Sequence, residues 1–96
     1  MQSTKIEIYG WDPASFKCNP CLKAKRLMES VKLNYEFKPI PKNMESEIKE
    51  ELIHRLKQDN IELKTLPQIF VNGELVGGFT ETKLFMRKLR KSEWQQ

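Results

Sequence analysis

The stretch Phe16-Lys17-Cys18-Asn19-Pro20-Cys21 contains both cysteines of this 96-residue chain. A strand-like segment precedes it and a helix-like segment follows it, so we predict that Cys18 lies at a helix N-terminus. Unpaired backbone N–H groups and the positive end of the helix dipole favour a thiolate there and lower the pKa of Cys18. Cys21 follows about one helical turn later, close enough to attack a mixed disulfide formed on Cys18. The spacing therefore predicts a redox pair in which Cys18 captures and Cys21 resolves.

Zinc sites use the same cysteine spacing, because a Cys-x-x-Cys pair often supplies half of a tetrahedral ligand set. This chain has no second cysteine pair, and its one histidine is His54. A closed site would therefore need carboxylates or ligands from another chain. We expect His54 to be an exposed helix residue and expect no bound metal. A redox pair is favoured, while a zinc or cluster site and an inert pair stay open at this point.

Length and composition indicate one compact domain that spans residues 1–96, since 39% hydrophobic residues suffice for one modest core. No apolar run approaches the ~18 residues of a membrane span, and the first residues lack the apolar core of a secretion signal. We therefore predict a cytoplasmic protein. In that reducing compartment a cysteine pair is more often catalytic than structural.

The net charge of +4 could indicate nucleic-acid binding, but thirteen acidic residues are interspersed among the basic ones. The sequence lacks the stripe of basic residues interleaved with aromatic residues that is typical of nucleic-acid-binding proteins. We expect neither a nucleic-acid nor a membrane partner. Most lysines and arginines should lie on solvated helix faces, where they could attract an anionic partner.

Hydrophobic periodicity predicts seven elements in the order β-α-β-α-β-β-α. They are a strand at Lys5–Tyr9 stopped by Gly10, a helix from Pro20 to Val31, a strand at Tyr35–Lys38 closed by Pro39-Ile40-Pro41, a helix at about Glu45–Gln58, strands on both sides of Asn72-Gly73, and a helix from Glu81 to about Lys91 capped by Thr80.

The connections between these elements predict the sheet. The first strand-helix-strand unit implies parallel pairing, and Asn72-Gly73 predicts a type I′ hairpin with positive φ at both residues. The buried helix faces should be formed by Ala24, Leu27, Met28 and Val31, by Met44, Ile48, Leu52 and Leu56, and by Thr82, Phe85, Met86 and Leu89. The predicted class is α/β, with a mixed four-stranded sheet flanked by three helices.

Three sequence blocks in this order resemble the glutaredoxin family of the thioredoxin-fold superfamily: the cysteine pair, Thr65-Leu66-Pro67-Gln68, and Gly77-Gly78-Phe79-Thr80-Glu81. The resemblance runs from about Ile6 to Leu89. The segment from Tyr9 to Leu27 is most similar to bacteriophage members of the family. Each block is weak evidence alone, and their combination is specific. The resemblance implies a thioredoxin-like fold.

The resemblance also implies a binding site for glutathione as co-substrate. Pro67 matches the family's cis-proline, and a cis bond would turn the backbone of Leu66 toward the site to pair with glutathione or an extended peptide. The segment Gly78-Phe79-Thr80-Glu81 matches the part that holds the γ-glutamyl end, where Glu81 could bind the ammonium group and Thr80 offers only a hydroxyl. Pro20 and Thr65 belong to the same implied site.

The chain departs from the family at two places. Asn19-Pro20 replaces the common Pro-Tyr between the cysteines, and proline before the second cysteine is the thioredoxin arrangement. The loop that usually carries a glutathione-binding lysine is rebuilt, so Lys17 is our candidate for that charge. The redox potential is therefore left open between the ~−200 to −230 mV of glutaredoxins and the ~−270 mV of thioredoxin.

We expect a monomer, and the resemblance implies a dithiol oxidoreductase that reduces protein disulfides and glutathione mixed disulfides. The similarity to bacteriophage members further implies ribonucleotide reductase as a client, thioredoxin reductase as a second reductant and the host cytoplasm as the location. The alternatives are a thioredoxin proper that does not use glutathione and a glutathione-assisted iron–sulfur binding module.

Overall fold

The structure is a computed structural model that describes residues 4–14, 17–42 and 45–94, and the side chains only up to residue 88. Its elements are β1 (Ile6–Trp11), α1 (Asn19–Ser30), β2 (Glu36–Ile40), α2 (Glu47–Gln58), β3 (Gln68–Val71), β4 (Glu74–Gly77) and α3 (Phe79–Trp94). The predicted element order is confirmed. Phe16, Met44 and the side chain of Leu89, which the sequence predictions used, lie outside this description.

The sheet has the strand order β2-β1-β3-β4, with β1 and β3 in the centre. β1 pairs with β2 in parallel, and both β1–β3 and β3–β4 are antiparallel. The predicted mixed four-stranded sheet is therefore confirmed. Asn72 and Gly73 have φ values of 51° and 86°, which are the positive values expected of a type I′ hairpin.

Alternate residues of β1 point to opposite faces of the sheet, and each face carries its own buried cluster. One cluster, on the side of α1 and α3, comprises Ile6, Ile8, Ala24, Met28, Ile69, Val71 and Met86. The other, on the side of α2, comprises Tyr9, Ile40, Leu52, Leu56 and Phe70. In the helices, the buried side chains include the predicted Ala24, Met28, Leu52, Leu56, Thr82 and Met86. The helix faces read from periodicity are thus confirmed where they are described.

Two strands extend past the residues that were predicted to end them. Gly10 does not stop the first strand, because β1 continues to Trp11 and Gly10 pairs with Pro39. Pro39 does not close the second strand either, since β2 extends to Ile40. β2 lies at the edge of the sheet, where a proline without an N–H is tolerated.

Two helix starts differ from the prediction by two residues. Ser46 caps α2, because its Oγ accepts a hydrogen bond from the Lys49 N–H at 3.1 Å, so this helix begins two residues later than expected. Thr80 was expected to cap the last helix, and this prediction is wrong because α3 begins at Phe79. The Glu81 carboxylate instead accepts the N–H of Gly78, as the acidic residue of a capping box does.

Within the described residues, no helix combines the length and the apolar character that a bilayer span requires.

Candidate active site

Cys18 is the N-cap residue of α1, as the sequence predicts. Its backbone is extended, with φ −118° and ψ 107°, and its Sγ accepts a hydrogen bond from the Cys21 N–H at 3.2 Å. The first turn of α1 contains no acidic residue, so no carboxylate there opposes a negative charge on Cys18. The helix start therefore provides both a donor and a favourable dipole for a thiolate.

The two cysteines are joined in a disulfide, with their Cα atoms 5.3 Å apart, and they differ in accessibility. Cys18 is partly exposed, whereas Cys21 is only 3% exposed. An external disulfide can therefore approach the Cys18 sulfur more readily than the Cys21 sulfur. This asymmetry matches the predicted division of roles, in which Cys18 captures and Cys21 resolves.

Gly10 makes room for the buried cysteine. A Cβ atom at Gly10 would lie 2.9 Å from Cε1 of Phe37 and 3.0 Å from Sγ of Cys21. Both distances are shorter than ordinary van der Waals contacts, so any side chain here would push against the redox pair. The sequence analysis interpreted Gly10 only as a strand end. The signal that could have revealed its packing role was the alternation of Ile6, Ile8 and Gly10, which places Gly10 on the sheet face that α1 covers.

A groove of about 440 Å³ runs beside the start of α1, and we call it the Pro67 groove. It is lined by Pro20, Lys23, Thr65, Leu66, Pro67, Gly78, Phe79, Thr80 and Glu81. Every predicted binding residue other than Lys17 belongs to this set, although three separate segments of the chain contribute them. The Leu66–Pro67 peptide bond is cis, as the resemblance implies.

Lys23 lines the same groove and was missed by the sequence analysis. It follows Pro20 by three residues on α1, and residues at that spacing share a helix face. The helical periodicity could therefore have placed Lys23 beside Pro20. Its ammonium adds a positive charge to a wall that otherwise carries the carboxylate of Glu81.

The glycine segment after β4 holds Glu81 in place. Gly77 has φ +125°, and a Cβ there would lie 2.9 Å from Oε1 of Glu81, so a larger residue would meet both strain and a clash. The Gly78 N–H donates to that same oxygen at 3.0 Å. A Cβ placed on Gly78 would lie 3.5 Å from the carbonyl oxygen of Pro67, which shows how closely the two groove walls approach. The Glu81 carboxylate is thus already oriented at the groove.

A second cleft, of about 240 Å³, borders the cysteines themselves, and we call it the Trp11 cleft. It is lined by Trp11, Pro13, Lys17, Cys18, Cys21, Leu22, Lys25 and Phe37. It shares no lining residue with the Pro67 groove. Lys17 therefore lies apart from the other predicted binding residues, although it stays adjacent to Cys18.

A charged network occupies the opposite face of the sheet. Glu7 is 5% exposed, and its carboxylate contacts Arg55 through two hydrogen bonds of 3.0 and 3.2 Å and Lys38 at 3.0 Å. Lys38 also contacts the Glu51 carboxylate at 3.1 Å. The Tyr9 hydroxyl donates to Glu51 at 2.6 Å and accepts from Arg55 at 2.9 Å. The network joins α2 to β1 and β2.

This network shifts the acid–base equilibria of its members. Burial alone would raise the pKa of Glu7, but the hydrogen bonds from Arg55 and Lys38 lower that pKa below its ordinary value. Burial would likewise lower the pKa of Lys38, and the carboxylates of Glu7 and Glu51 raise it instead. The carboxylates of Glu7 and Glu51 and the cations Lys38 and Arg55 are therefore charged at neutral pH, whereas burial raises the pKa of Tyr9 and its hydroxyl stays neutral. Lys38 and Arg55 are exceptions to the expectation that basic residues lie on solvated faces.

Across residues 4–14, 17–42 and 45–94, no group of three or more His, Cys, Asp or Glu residues lies close enough together to hold a metal ion. His54 is exposed on α2, as expected, and its Nε2 lies 3.4 Å from Nε2 of Gln58.

Comparisons with known proteins agree with this geometry. The family model described as Glutaredoxin matches residues 6–76. The glutaredoxin of Enterobacteria phage T4 is 32% identical over 86 residues, which cover 85% of this chain and 99% of that protein. This relative confirms the predicted resemblance to bacteriophage members.

Solved structures show the same architecture. Glutaredoxin 1 of Francisella tularensis, solved as a complex with cacodylate, superposes with a TM-score of 0.70 at 25% identity and covers 93% of this chain and 99% of that one. Reduced Escherichia coli glutaredoxin superposes with a TM-score of 0.64 at 25% identity over 88% of this chain and 94% of that one. The predicted thioredoxin-like α/β fold is confirmed.

Proposed function

The chain belongs to the glutaredoxin family, and on that premise we propose that it reduces protein disulfides and glutathione mixed disulfides with glutathione as its electron donor. Family membership and the Cys18–Cys21 pair make it a dithiol thiol-disulfide oxidoreductase. The use of glutathione is the proposed part. The observation that supports it is the Pro67 groove, which gathers the family-matched segments beside the redox pair.

In the proposed reaction the Cys18 thiolate attacks one sulfur of a client disulfide. The client S–S bond breaks, a Cys18–client disulfide forms and the second client sulfur leaves as a thiolate. The Cys21 thiolate then attacks Sγ of Cys18, closes the intramolecular disulfide and releases the first client sulfur. Two electrons thus pass from the cysteine pair to the client, and both released thiolates take protons from water.

Glutathione regenerates the dithiol in two further exchanges. One glutathione thiolate attacks Sγ of Cys18 and displaces Cys21, and a second attacks the bound glutathione sulfur, which yields glutathione disulfide. For a glutathione mixed disulfide, the first exchange places glutathione on Cys18 directly, and one further glutathione completes the cycle. Cys21 is then not required.

The Pro67 groove suits the proposed ligand. Its volume lies within the range of small-molecule pockets, and its walls offer both charges that a peptide with free termini needs. We propose that Glu81 meets the ammonium of the γ-glutamyl end, that the Phe79 N–H, next to Gly78 at the start of α3, meets its carboxylate, and that Lys23 meets the glycine carboxylate. The backbone of Leu66, next to Pro67, would pair with the extended main chain, with Pro20, Thr65 and Thr80 completing the walls. Lys17 stays a proposed charge beside the Cys18 sulfur.

The client and setting are proposed from the phage relative. We propose that the protein acts as a monomer in the cytoplasm, which is the host cytoplasm if a phage encodes it. Ribonucleotide reductase is the proposed client, and thioredoxin reductase a proposed second reductant.

A turnover assay tests the function. The oxidised protein is supplied with glutathione and glutathione reductase, or with thioredoxin reductase, and NADPH consumption is followed with a glutathionylated small thiol and with a protein disulfide as substrates. Glutathione-dependent turnover of both substrates is expected. Turnover with thioredoxin reductase and none with glutathione would contradict the proposal and favour a thioredoxin proper, to which the Asn19-Pro20 dipeptide also points.

Two variants assign the cysteines in this assay. Cys18→Ser should abolish turnover of both substrates, because it removes the attacking sulfur. Cys21→Ser should retain turnover of the glutathionylated thiol and lose reduction of the protein disulfide. Full activity of Cys18→Ser would refute the proposed mechanism.

A further inference from the structure

Apart from Lys17, no residue that lines the Trp11 cleft has a part in the proposed binding of glutathione, yet the redox pair forms part of its wall. We propose that this cleft receives an aromatic or large aliphatic side chain of an acidic client peptide, next to the cysteine that Cys18 attacks. The inference rests on the proposed function and adds the recognition of the client. Glutathione and client would then approach Cys18 over different surfaces of the protein.

The size of the cleft fits one side chain. Pockets that enclose a whole small molecule measure about 300–1,000 Å³, and the Trp11 cleft, at about 240 Å³, is smaller. A sulfur positioned to react with Cys18 would bring the neighbouring residues of the same peptide to the mouth of this cleft. The occupant is therefore expected to be a residue next to the client cysteine.

The walls of the cleft favour an apolar occupant. The aromatic side chains of Trp11 and Phe37 and the aliphatic side chain of Leu22 line it. Leu22 follows Cys21 directly on α1 and is 42% exposed, so it presents apolar surface beside the redox pair. Covering this surface with a client side chain would remove it from water and stabilise the encounter.

The charge at the cleft favours an acidic peptide. Lys17 and Lys25 are its charged lining residues, and its described lining contains no carboxylate. The Lys25 Nζ lies 3.7 Å from the ring centroid of Phe37, which holds this cation at the edge of the apolar wall. Asp12 lies between the lining residues Trp11 and Pro13 in sequence but does not line the cleft itself. Its carboxylate accepts a hydrogen bond from the Ala14 N–H. Acidic residues that flank the client's apolar side chain would therefore meet two lysines.

Stoichiometric reduction of synthetic peptide disulfides tests the inference without glutathione. The protein is reduced in advance, freed of reductant and mixed with cyclic peptides that each contain one disulfide. The peptides carry Leu or Gly beside the attacked cysteine, combined with flanking Glu or Lys. Each rate constant is divided by that for reduction of the same peptide by dithiothreitol, which removes differences in intrinsic disulfide reactivity.

The wild-type protein should reduce the Leu/Glu peptide about tenfold faster than the Gly/Lys peptide, the size of effect expected from one buried apolar side chain and two partly screened charges. Leu22→Ser should reduce the preference for Leu over Gly, between peptides with the same flanking residues, to within about twofold, since it removes apolar wall area. Leu84→Ser is the matched control, because Leu84 is an exposed leucine on α3, 51% exposed, outside the cleft, and this variant should keep the full preference.

A charge variant separates the two parts of the proposal. Lys25→Gln should weaken the preference for Glu over Lys and retain the preference for Leu over Gly, while Lys83→Gln on α3 should change neither. Equal normalised rates for all peptides with the wild-type protein would overturn the inference, and so would an unchanged preference in Leu22→Ser. Peptide reduction without preference would leave the proposed function intact. Failure to reduce any peptide would overturn both the function and the inference.

Discussion

The two faces of the sheet differ in the interactions that stabilise them, although β1 contributes side chains to both. On the side of α1 and α3, β1 contributes Ile6, Ile8 and Gly10, and the redox pair rests on this apolar face. On the side of α2, β1 contributes Glu7 and Tyr9, which join a network of buried and half-buried charges. The redox face is thus built from close packing around a sulfur. The opposite face depends on charge pairing between elements far apart in sequence.

This difference predicts that the two faces fail in different ways when they are mutated. Changes on the redox face should alter the chemistry of Cys18 and Cys21. Changes in the charged network should alter the free energy of unfolding and leave thiol exchange nearly unchanged, because no member of the network lines the Pro67 groove or the Trp11 cleft.

The largest stability effect is expected for Glu7→Gln. It leaves Arg55 without its buried carboxylate partner and should lower the free energy of unfolding by about 3 kcal/mol, as is typical when one member of a buried ion pair is removed. Urea unfolding measures this loss, with Glu62→Gln, an exposed loop change, as a control expected within about 0.5 kcal/mol of wild type. Turnover of a glutathionylated thiol by the folded variant should stay near the wild-type value. A strong loss of turnover would show that the two faces are not separable.

Gly10→Ala should produce a smaller loss of stability and a specific chemical defect. The added methyl group would lie against Phe37 and the Cys21 sulfur, and overpacking of this kind costs about 1–3 kcal/mol. Displacement of Cys21 should also slow the closure of the Cys18–Cys21 disulfide after glutathione disulfide reacts with the reduced protein. Quenched-flow mass spectrometry can follow the glutathione adduct.

Gly73→Ala is the control for this prediction. Gly73 has φ +86° and no heavy atom within 4 Å of its Cβ position, so this change strains the hairpin without crowding the cysteines. It should destabilise the protein and leave the closure rate unchanged. Equal closure rates in both variants would contradict the role of Gly10.

The smallest effect concerns acid stability. The pKa of Glu7 is lower in the folded than in the unfolded protein, so the unfolded protein binds more protons. The stabilisation from charged Glu7 is therefore present at neutral pH and declines as the pH falls below about 5 through the folded pKa. Urea unfolding between pH 7 and 3 should show this decline in the wild-type protein and a shallower one in Glu7→Gln. Parallel pH profiles would argue against the ion pairs.

Periodicity and turn chemistry were sufficient to predict the element order, the hairpin at Asn72 and Gly73 and the helix start at Cys18. These features depend on residues close together in sequence. The burial of Glu7 could not be predicted in this way, because its partner Arg55 lies 48 residues further along the chain. An alternating strand looks the same whether its polar face meets water or a helix that carries matching charges.

The candidate site shows the same limit. The family blocks identified eight of the residues that line the Pro67 groove, and helical spacing could have added Lys23. The Trp11 cleft was not predicted as a unit, since it combines the end of β1, the loop before α1, α1 itself and Phe37 of β2. Thr80 was wrongly predicted as a cap because α3 begins earlier, at Phe79, where Glu81 accepts the Gly78 N–H as in a capping box.

The central claim is that the start of α1 holds the Cys18 sulfur as a thiolate at neutral pH. The most direct test is the rate of alkylation of reduced Cys21→Ser protein by iodoacetamide, followed by mass spectrometry from pH 4 to 10. The alkylation rate of an ordinary cysteine, with a pKa of about 8.5, keeps rising with pH until well above pH 8, because the thiolate fraction rises. The account predicts that the Cys18 rate reaches its plateau by about pH 7, and a rate that still rises steeply above pH 8 would contradict it.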